Sequence, residues 1–173
     1  GTYTVTLTVT DNNGLTDPVS KDVTVSDGGG LPDYCPSYSA DAERMAISQV
    51  DIGGFTNTSG KSTYSDFTDM TINMQLGQSY DTAITLDTSR YNVRAVIWID
   101  FNRDGDFDDA NEQVFRRQRK GSTVTGTITI PATGVVTGQK LGLRIHADTF
   151  SFRDPCDVNV GNGEVEDYAV IIQ

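Results

Sequence analysis

The sequence predicts an all-β fold: an antiparallel, jelly-roll-like β-sandwich with one long polar loop inserted into it, preceded by a separate N-terminal β-hairpin. Three observations predict it. Period-two alternation of apolar and polar residues recurs in short runs. Clusters of Gly, Asn, Asp, Ser and Pro separate those runs, with 17 Gly and 5 Pro in 173 residues. Helical periodicity is confined to Ala42–Ser48, enough for one short turn.

Residues 2–10 place Tyr3, Val5, Leu7 and Val9 on one face and threonines on the other, the pattern of a half-buried strand. Asp11-Asn12-Asn13-Gly14 is a turn. A second strand near Lys21–Ser26, with Val23 and Val25 inward, completes a hairpin. An isolated hairpin is marginal in water, so these strands are expected to belong to a larger sheet. The run from Gly1 to Asp11 resembles the end of a PKD domain, an immunoglobulin-like spacer of secreted bacterial hydrolases. That resemblance implies that residues 1–26 are the C-terminal fragment of such a domain, with its other strands upstream or another partner borrowed in their place. Residue 1 also falls inside a strand-like run, so the numbering is expected to begin mid-protein. Residues 27–33, Asp-Gly-Gly-Gly-Leu-Pro-Asp, read as a flexible linker.

Beyond the linker, strands are expected at 45–52, 71–76, 80–86, 93–101, 113–119, 123–130, 140–147 and 165–172, each bounded by turn residues. The net charge of -11 argues against nucleic acid or an anionic membrane as partner, since both require Lys and Arg to neutralise phosphate. No run approaches the ~20 apolar residues of a membrane span, so no membrane insertion is expected. Cys35 and Cys156, an even and minimal pair with wide spacing and no CxxC, suit one disulfide and an oxidising compartment. Two buried free thiols are the alternative.

The strongest chemical signal follows the apolar run 95–99. Asp100, Asn102 and Asp104 stand at alternate positions and Gly105 permits a sharp turn, the opening of a D-x-[DN]-x-[DN]-G calcium loop. Calcium takes six to eight oxygens, and carboxylates spaced by two converge when a loop curls around the ion. Asp106 adds a side chain or carbonyl. The closing position of a helix-loop-helix version falls on Asn111, so Glu112 closes this loop one place later. Asp108 and Asp109 are further candidates. The alternative is a solvated acidic turn.

Gly163-Glu164-Val165-Glu166-Asp167, taken with Val96–Gly105 and with Tyr34-Cys35, resembles the GEVED domain, a family named for that run. The likeness covers residues 34–173. It implies a β-sandwich appended to secreted or surface bacterial proteins and leaves the ligand open. Within the run, Asp167 lies on an otherwise apolar strand face and needs a partner. Asp167 or Glu166 could support the calcium loop; an Arg144 pair or a surface charge is the alternative. Asp66 and Asp69 are weaker candidates of the same kind.

His146, the only histidine, reads as structural, and Trp98 as core. Tyr91 (beside Arg90), Phe150, Phe152 and Arg153 are candidate ligand-binding residues, because aromatics with nearby charge make platforms; the alternative is that the aromatics cover the sandwich edge. Arg116–Lys120 is a basic patch, either a solvated hairpin end or a contact for an anionic polymer. These features together predict a non-catalytic calcium-binding accessory module of a secreted bacterial multidomain protease or glycosidase. It would be secreted or at the cell surface, with an extracellular polysaccharide or protein polymer and neighbouring domains as partners. A calcium-stiffened structural or adhesive domain is the alternative. A stand-alone hydrolase would need two carboxylates of split pKa.

Overall fold

The computed structural model describes residues 2–24, 29–88 and 91–173. Val25, Ser26, the Asp27-Gly28 start of the linker and Arg90 lie outside the described residues, as does the side chain of Tyr3. The chain forms two compact units, Gly1–Gly30 and Leu31–Gln173.

The first unit is a two-stranded antiparallel ribbon of β1 (Thr2–Thr10) and β2 (Thr16–Thr24), in register from Thr2 opposite Thr24 to Thr10 opposite Thr16. Asp11 forms the turn with its carboxylate, accepting from Asn13 N at 2.8 Å and Leu15 N at 2.9 Å. Cross-strand hydroxyl bonds join Thr4 to Asp22 and Thr6 to Ser20. The expected half-burial does not occur: Val5, Leu7 and Val9 are 57, 62 and 59 % exposed. Two strands have no second layer to cover an apolar face. β2 also begins at Thr16, earlier than the alternation indicated, because Pro18 is tolerated where its missing N–H faces outward.

The second unit contains β3 (Tyr38–Asp41), β4 (Ile47–Ile52), β5 (Phe55–Thr58), β6 (Tyr64–Met74), β7 (Ser79–Leu86), β8 (Asn92–Ile99), β9 (Gln113–Lys120), β10 (Thr123–Thr129), β11 (Lys140–Asp148) and β12 (Val158–Ile172). One sheet has the order β10-β7-β4-β5. The other runs β3-β12-β11-β8-β9, with β6 also beside β12. Alternating residues of both sheets meet in one core: Ile47, Val50, Ile84 and Ile128 from the first face Ile97, Ile145, Tyr168 and Val170 from the second. No helix occurs among the described residues, and Ala42–Ser48 leads through a bend into β4 instead of forming a helical turn.

Pairing is antiparallel except along β12, which takes β3 and β6 in parallel on the edge opposite β11. The outward residues of β8 are not left to solvent. Val96 and Trp98 form a second apolar cluster with Phe107, covered by Tyr34 and Phe152. Tyr34 lies in the segment before β3 and Phe152 in the loop after β11. The Cys35–Cys156 disulfide joins those two covers across a sequence separation of 121, with Cα atoms 5.5 Å apart.

Candidate functional site

The loop between β8 and β9 is shaped by its own carboxylates. Asp100, fully buried, accepts from Arg103 N at 2.6 Å, from Gly105 N at 3.1 Å and from the Tyr34 hydroxyl at 2.8 Å. Gly105 has φ +93° and Arg103 +61°, the left-handed backbone that so tight a curl requires. Asn102 places its amide nitrogen 2.7 Å from both Asp104 Oδ2 and Asp109 Oδ2, so two carboxylates converge on one point. Glu112, also buried, reaches back into the loop and accepts from Phe101 N at 3.0 Å and Asp109 N at 3.3 Å. Its pKa is pushed up to about 7 by burial, with the Asp100 and Asp109 charges adding to the effect.

Asn102, Asp104 and Asp109 meet through the Asn102 amide, while the Asp100 and Glu112 carboxylates are taken by backbone N–H groups of the same loop and, for Asp100, by Tyr34. The side chain of Asp106 is exposed and accepts from Asp108 N, apart from that convergence. The donor set is wholly oxygen, which suits a hard cation and not zinc. Among the described residues, no three His, Cys, Asp or Glu side chains already stand around one metal-sized point.

Tyr34 connects this loop to the rest of the sheet. Its ring stacks on Phe107 with centroids 4.8 Å apart, and its hydroxyl donates to Asp100 and accepts from Gly142 N at 2.9 Å. Only a glycine at 142 allows this, because a Cβ there would meet the Tyr34 ring at 2.5 Å. The sequence signal was the Tyr34-Cys35 pair, which gives no hint of a contact with Asp100.

Four of the five positions of the Gly163–Asp167 run carry a specific contact, and the fifth, Val165, is fully buried. A Cβ on Gly163 would fall onto the Ala147 carbonyl of β11. Glu164 accepts from Ile47 N at 3.0 Å and Ser65 Oγ at 2.7 Å, tying β12 to β4 and β6. Glu166 accepts from Ser59 Oγ and the Tyr168 hydroxyl, both at 2.7 Å. Asp167 holds Arg144 with two bonds, Nε to Oδ1 at 2.8 Å and Nη2 to Oδ2 at 2.7 Å, and accepts from the Tyr64 hydroxyl. Neither Glu166 nor Asp167 bonds to the acidic β8–β9 loop; both are taken by partners on β11, β12 and the β5–β6 region. Asp66 caps Thr68 N.

Burial pushes the Glu164 pKa up from 4.5 to about 7, with Glu166 adding to it. A raised carboxyl pKa means that the folded state holds the proton more tightly than the unfolded chain. The stabilisation is complete below about 4.5 and is lost as pH rises through about 7. In Glu164→Gln, an amide oxygen faces Ile47 N and an amide nitrogen faces Ser65. We expect that variant to remove a decline on the order of 1–3 kcal/mol between those pH values. Urea titrations of chelator-treated protein across that range measure it, and parallel pH profiles for the two proteins would contradict it.

His146 is buried. Its pKa is pushed down to about 3 by burial, with Arg144 and Arg153 adding, so the ring is neutral. Nε2 lies 2.6 Å from Ser37 Oγ, itself buried and bonded to the Asp157 carbonyl, and the ring sits edge-on to Trp98. Of the candidate ligand platforms, Tyr91 and Phe150 are 42 and 64 % exposed. Phe152 instead packs in the outer cluster beneath the Arg116 guanidinium, 3.7 Å from its centroid. Arg153 is bound to buried Asp148 at 2.9 Å.

Two packed sheets, an outer cover closed by a disulfide and an oxygen-rich loop between adjacent strands define a β-sandwich module. Within it, residues 94–171 match the GEVED domain family, a span that contains the loop, the glycine-acid run and strands β9 to β11. A comparison with curated proteins finds no match.

Proposed function

We propose that the Leu31–Gln173 unit is a non-catalytic, calcium-binding accessory module of a secreted bacterial multidomain hydrolase, a protease or a glycosidase. It holds its parent on an extracellular polymer, either polysaccharide or matrix protein. The GEVED domain extends across residues 34–173, and residues 1–26 are the closing hairpin of a PKD-like spacer. The observation that carries the reading is the convergence of Asp104 and Asp109 on the Asn102 amide, beside buried Asp100 and Glu112. Asp104, Asp109 and the Asn102 carboxamide oxygen would hold calcium there, and the ion would offset the charge of the gathered carboxylates. Glu112 then stays ionised, because a divalent charge offsets its burial. The disulfide supports an oxidising location.

Thermal unfolding of the whole chain tests the metal. With calcium at about a hundredfold excess over its Kd, the melting temperature of the sandwich should rise by roughly 8 °C relative to EDTA. Magnesium should raise it far less, and Asp104→Ala with Asp109→Ala should remove the shift. Identical melts with and without calcium would sink the reading. The second reading is a calcium-stiffened structural or adhesive domain. It is favoured by the Tyr34–Asp100 bond, through which the ion would stiffen the Tyr34-Cys35 segment against the sheet. Retention on chitin, cellulose, alginate or collagen beads separates targeting from spacing.

A further inference from the structure

We infer that the exposed β9 edge of the larger sheet is a binding rail for an acidic polysaccharide, carboxylated or sulfated. The inference rests on the targeting reading above and specifies the class of polymer. Four of the chain's 13 Lys and Arg residues, Arg116, Arg117, Arg119 and Lys120, fall within five positions of one strand. The chain's net charge is -11. β9 ends the strand order of its sheet, and Arg116 to Lys120 are all exposed. Their span along an extended strand is about 13 Å, long enough to contact successive units of a linear polymer. Among the described residues none of the four meets a carboxylate, although acids outnumber bases 24 to 13.

The register fans these cations to both sides of the edge. Arg116 and Lys120 lie opposite Val96 and Asn92 on the outer face, while Arg117 and Arg119 lie opposite Ala95 and Val93 on the inner one. Arg119 Nη1 reaches Thr125 Oγ1 at 3.4 Å on β10. Arg116 is fixed in place by Phe152, 3.7 Å below it, which reduces the ordering cost of engaging an anion. Guanidinium forks match carboxylate and sulfate oxygens two at a time. The register also brings exposed rings to the same end of the sheet. Tyr91 precedes Asn92, the partner of Lys120, and Phe150 follows Asp148, the partner of Arg94. Arg94 in turn holds the Thr149 carbonyl at 2.6 Å.

Cations beside exposed rings fit a sugar acid, whose anionic group meets Arg while its C–H face stacks on an aromatic. A duplex or a phosphoprotein uses the cations and leaves the rings idle. Edge strands do carry charge to prevent mispairing. That role is served by either sign and does not require Arg116 to be laid on an aromatic.

Titration calorimetry of the whole chain against hyaluronan, chondroitin sulfate, neutral dextran and a DNA oligonucleotide tests this. Binding to hyaluronan or chondroitin sulfate, weakening as NaCl is raised, is the expected result, and the two arms tell carboxylate from sulfate. Arg119→Gln with Lys120→Gln should weaken it at least about tenfold with the melting temperature unchanged. Tyr91→Ala should weaken it as well. Binding that survives the double substitution, or that is matched by DNA, overturns the inference. Binding only to neutral glycan overturns it and leaves the accessory reading standing. Binding to none of these polymers overturns the inference, and the targeting reading falls with it only if the chitin, cellulose, alginate and collagen beads also retain nothing.

Discussion

Asp167→Ala should destabilise the sandwich unit by about 3–5 kcal/mol, because it strands Arg144 in the interior without its counter-charge. Arg144 is 2 % exposed. Its guanidinium gives two bonds to Asp167, and Nη1 gives others to the Cys35 carbonyl at 2.9 Å and the Pro155 carbonyl at 2.8 Å. It also lies 5.3 Å from the centroid of Phe107. Removing the carboxylate leaves two N–H groups and a full positive charge without their protein partner, on the floor of a cavity lined also by Tyr34, Ser37 and Tyr64. Asp167→Asn should cost less, since one amide oxygen still accepts from the fork. The double replacement Arg144→Met with Asp167→Leu should recover most of the loss, because the burial cost of the charges disappears with the charges. Urea unfolding at fixed calcium, followed on the sandwich transition, gives the three values. A cost below about 1 kcal/mol for the alanine variant would mean that the pair is solvated and worth no more than a surface bridge.

Asp167 also shows where sequence reasoning reaches its limit. Strand alternation places it on an otherwise apolar face and demands a partner, but alternation does not say which strand lies alongside. The partner was Arg144 because β11 pairs β12 with those two residues opposite each other. The strands β4, β7, β8, β9, β10 and β11 were legible to within a few residues. β3, β5 and the first halves of β6 and β12 were not. Tyr64-Ser65-Asp66 and Asn159 to Glu164 are polar or glycine-rich, and their strand state comes from parallel pairing along β12, a non-local contact with no local pattern. The curl of the acidic loop was legible at Asp100, Asn102 and Gly105 because turn chemistry is local. Asp109 joined through a curl whose closure depends on Gly105 and Glu112 together. Glu164 was passed over, although Glu164, Glu166 and Tyr168 alternate on one face. An acid on a core-facing register demands hydroxyl and backbone donors, and Ser59 and Ser65 supply them from elsewhere in the chain.

Loss of the Cys35–Cys156 bond should cost a further large share of stability, about 4–5 kcal/mol on the chain-entropy model for so wide a loop. The figure should fall in calcium, for a reason visible in the contacts. The disulfide pins the segment around Cys35 to the loop around Cys156, but two other ties hold the same segment. Tyr34 bonds Asp100 in the acidic loop, and Arg144 bonds both the Cys35 and Pro155 carbonyls. An ion that orders the acidic loop orders Asp100, and through Tyr34 it replaces part of the constraint that the disulfide supplied. In a Cys35→Ser with Cys156→Ser variant, unfolding should therefore be more calcium-sensitive than in the parent chain. The loss in EDTA should exceed the loss in calcium by about 1–2 kcal/mol, the size of a coupling between residues that share partners. Tyr34→Phe keeps the ring on Phe107 and removes the hydroxyl, so it should abolish that difference while leaving most of the disulfide effect intact. Equal losses with and without calcium would mean that the loop and the cover unfold independently, and that the Tyr34–Asp100 bond transmits nothing between them.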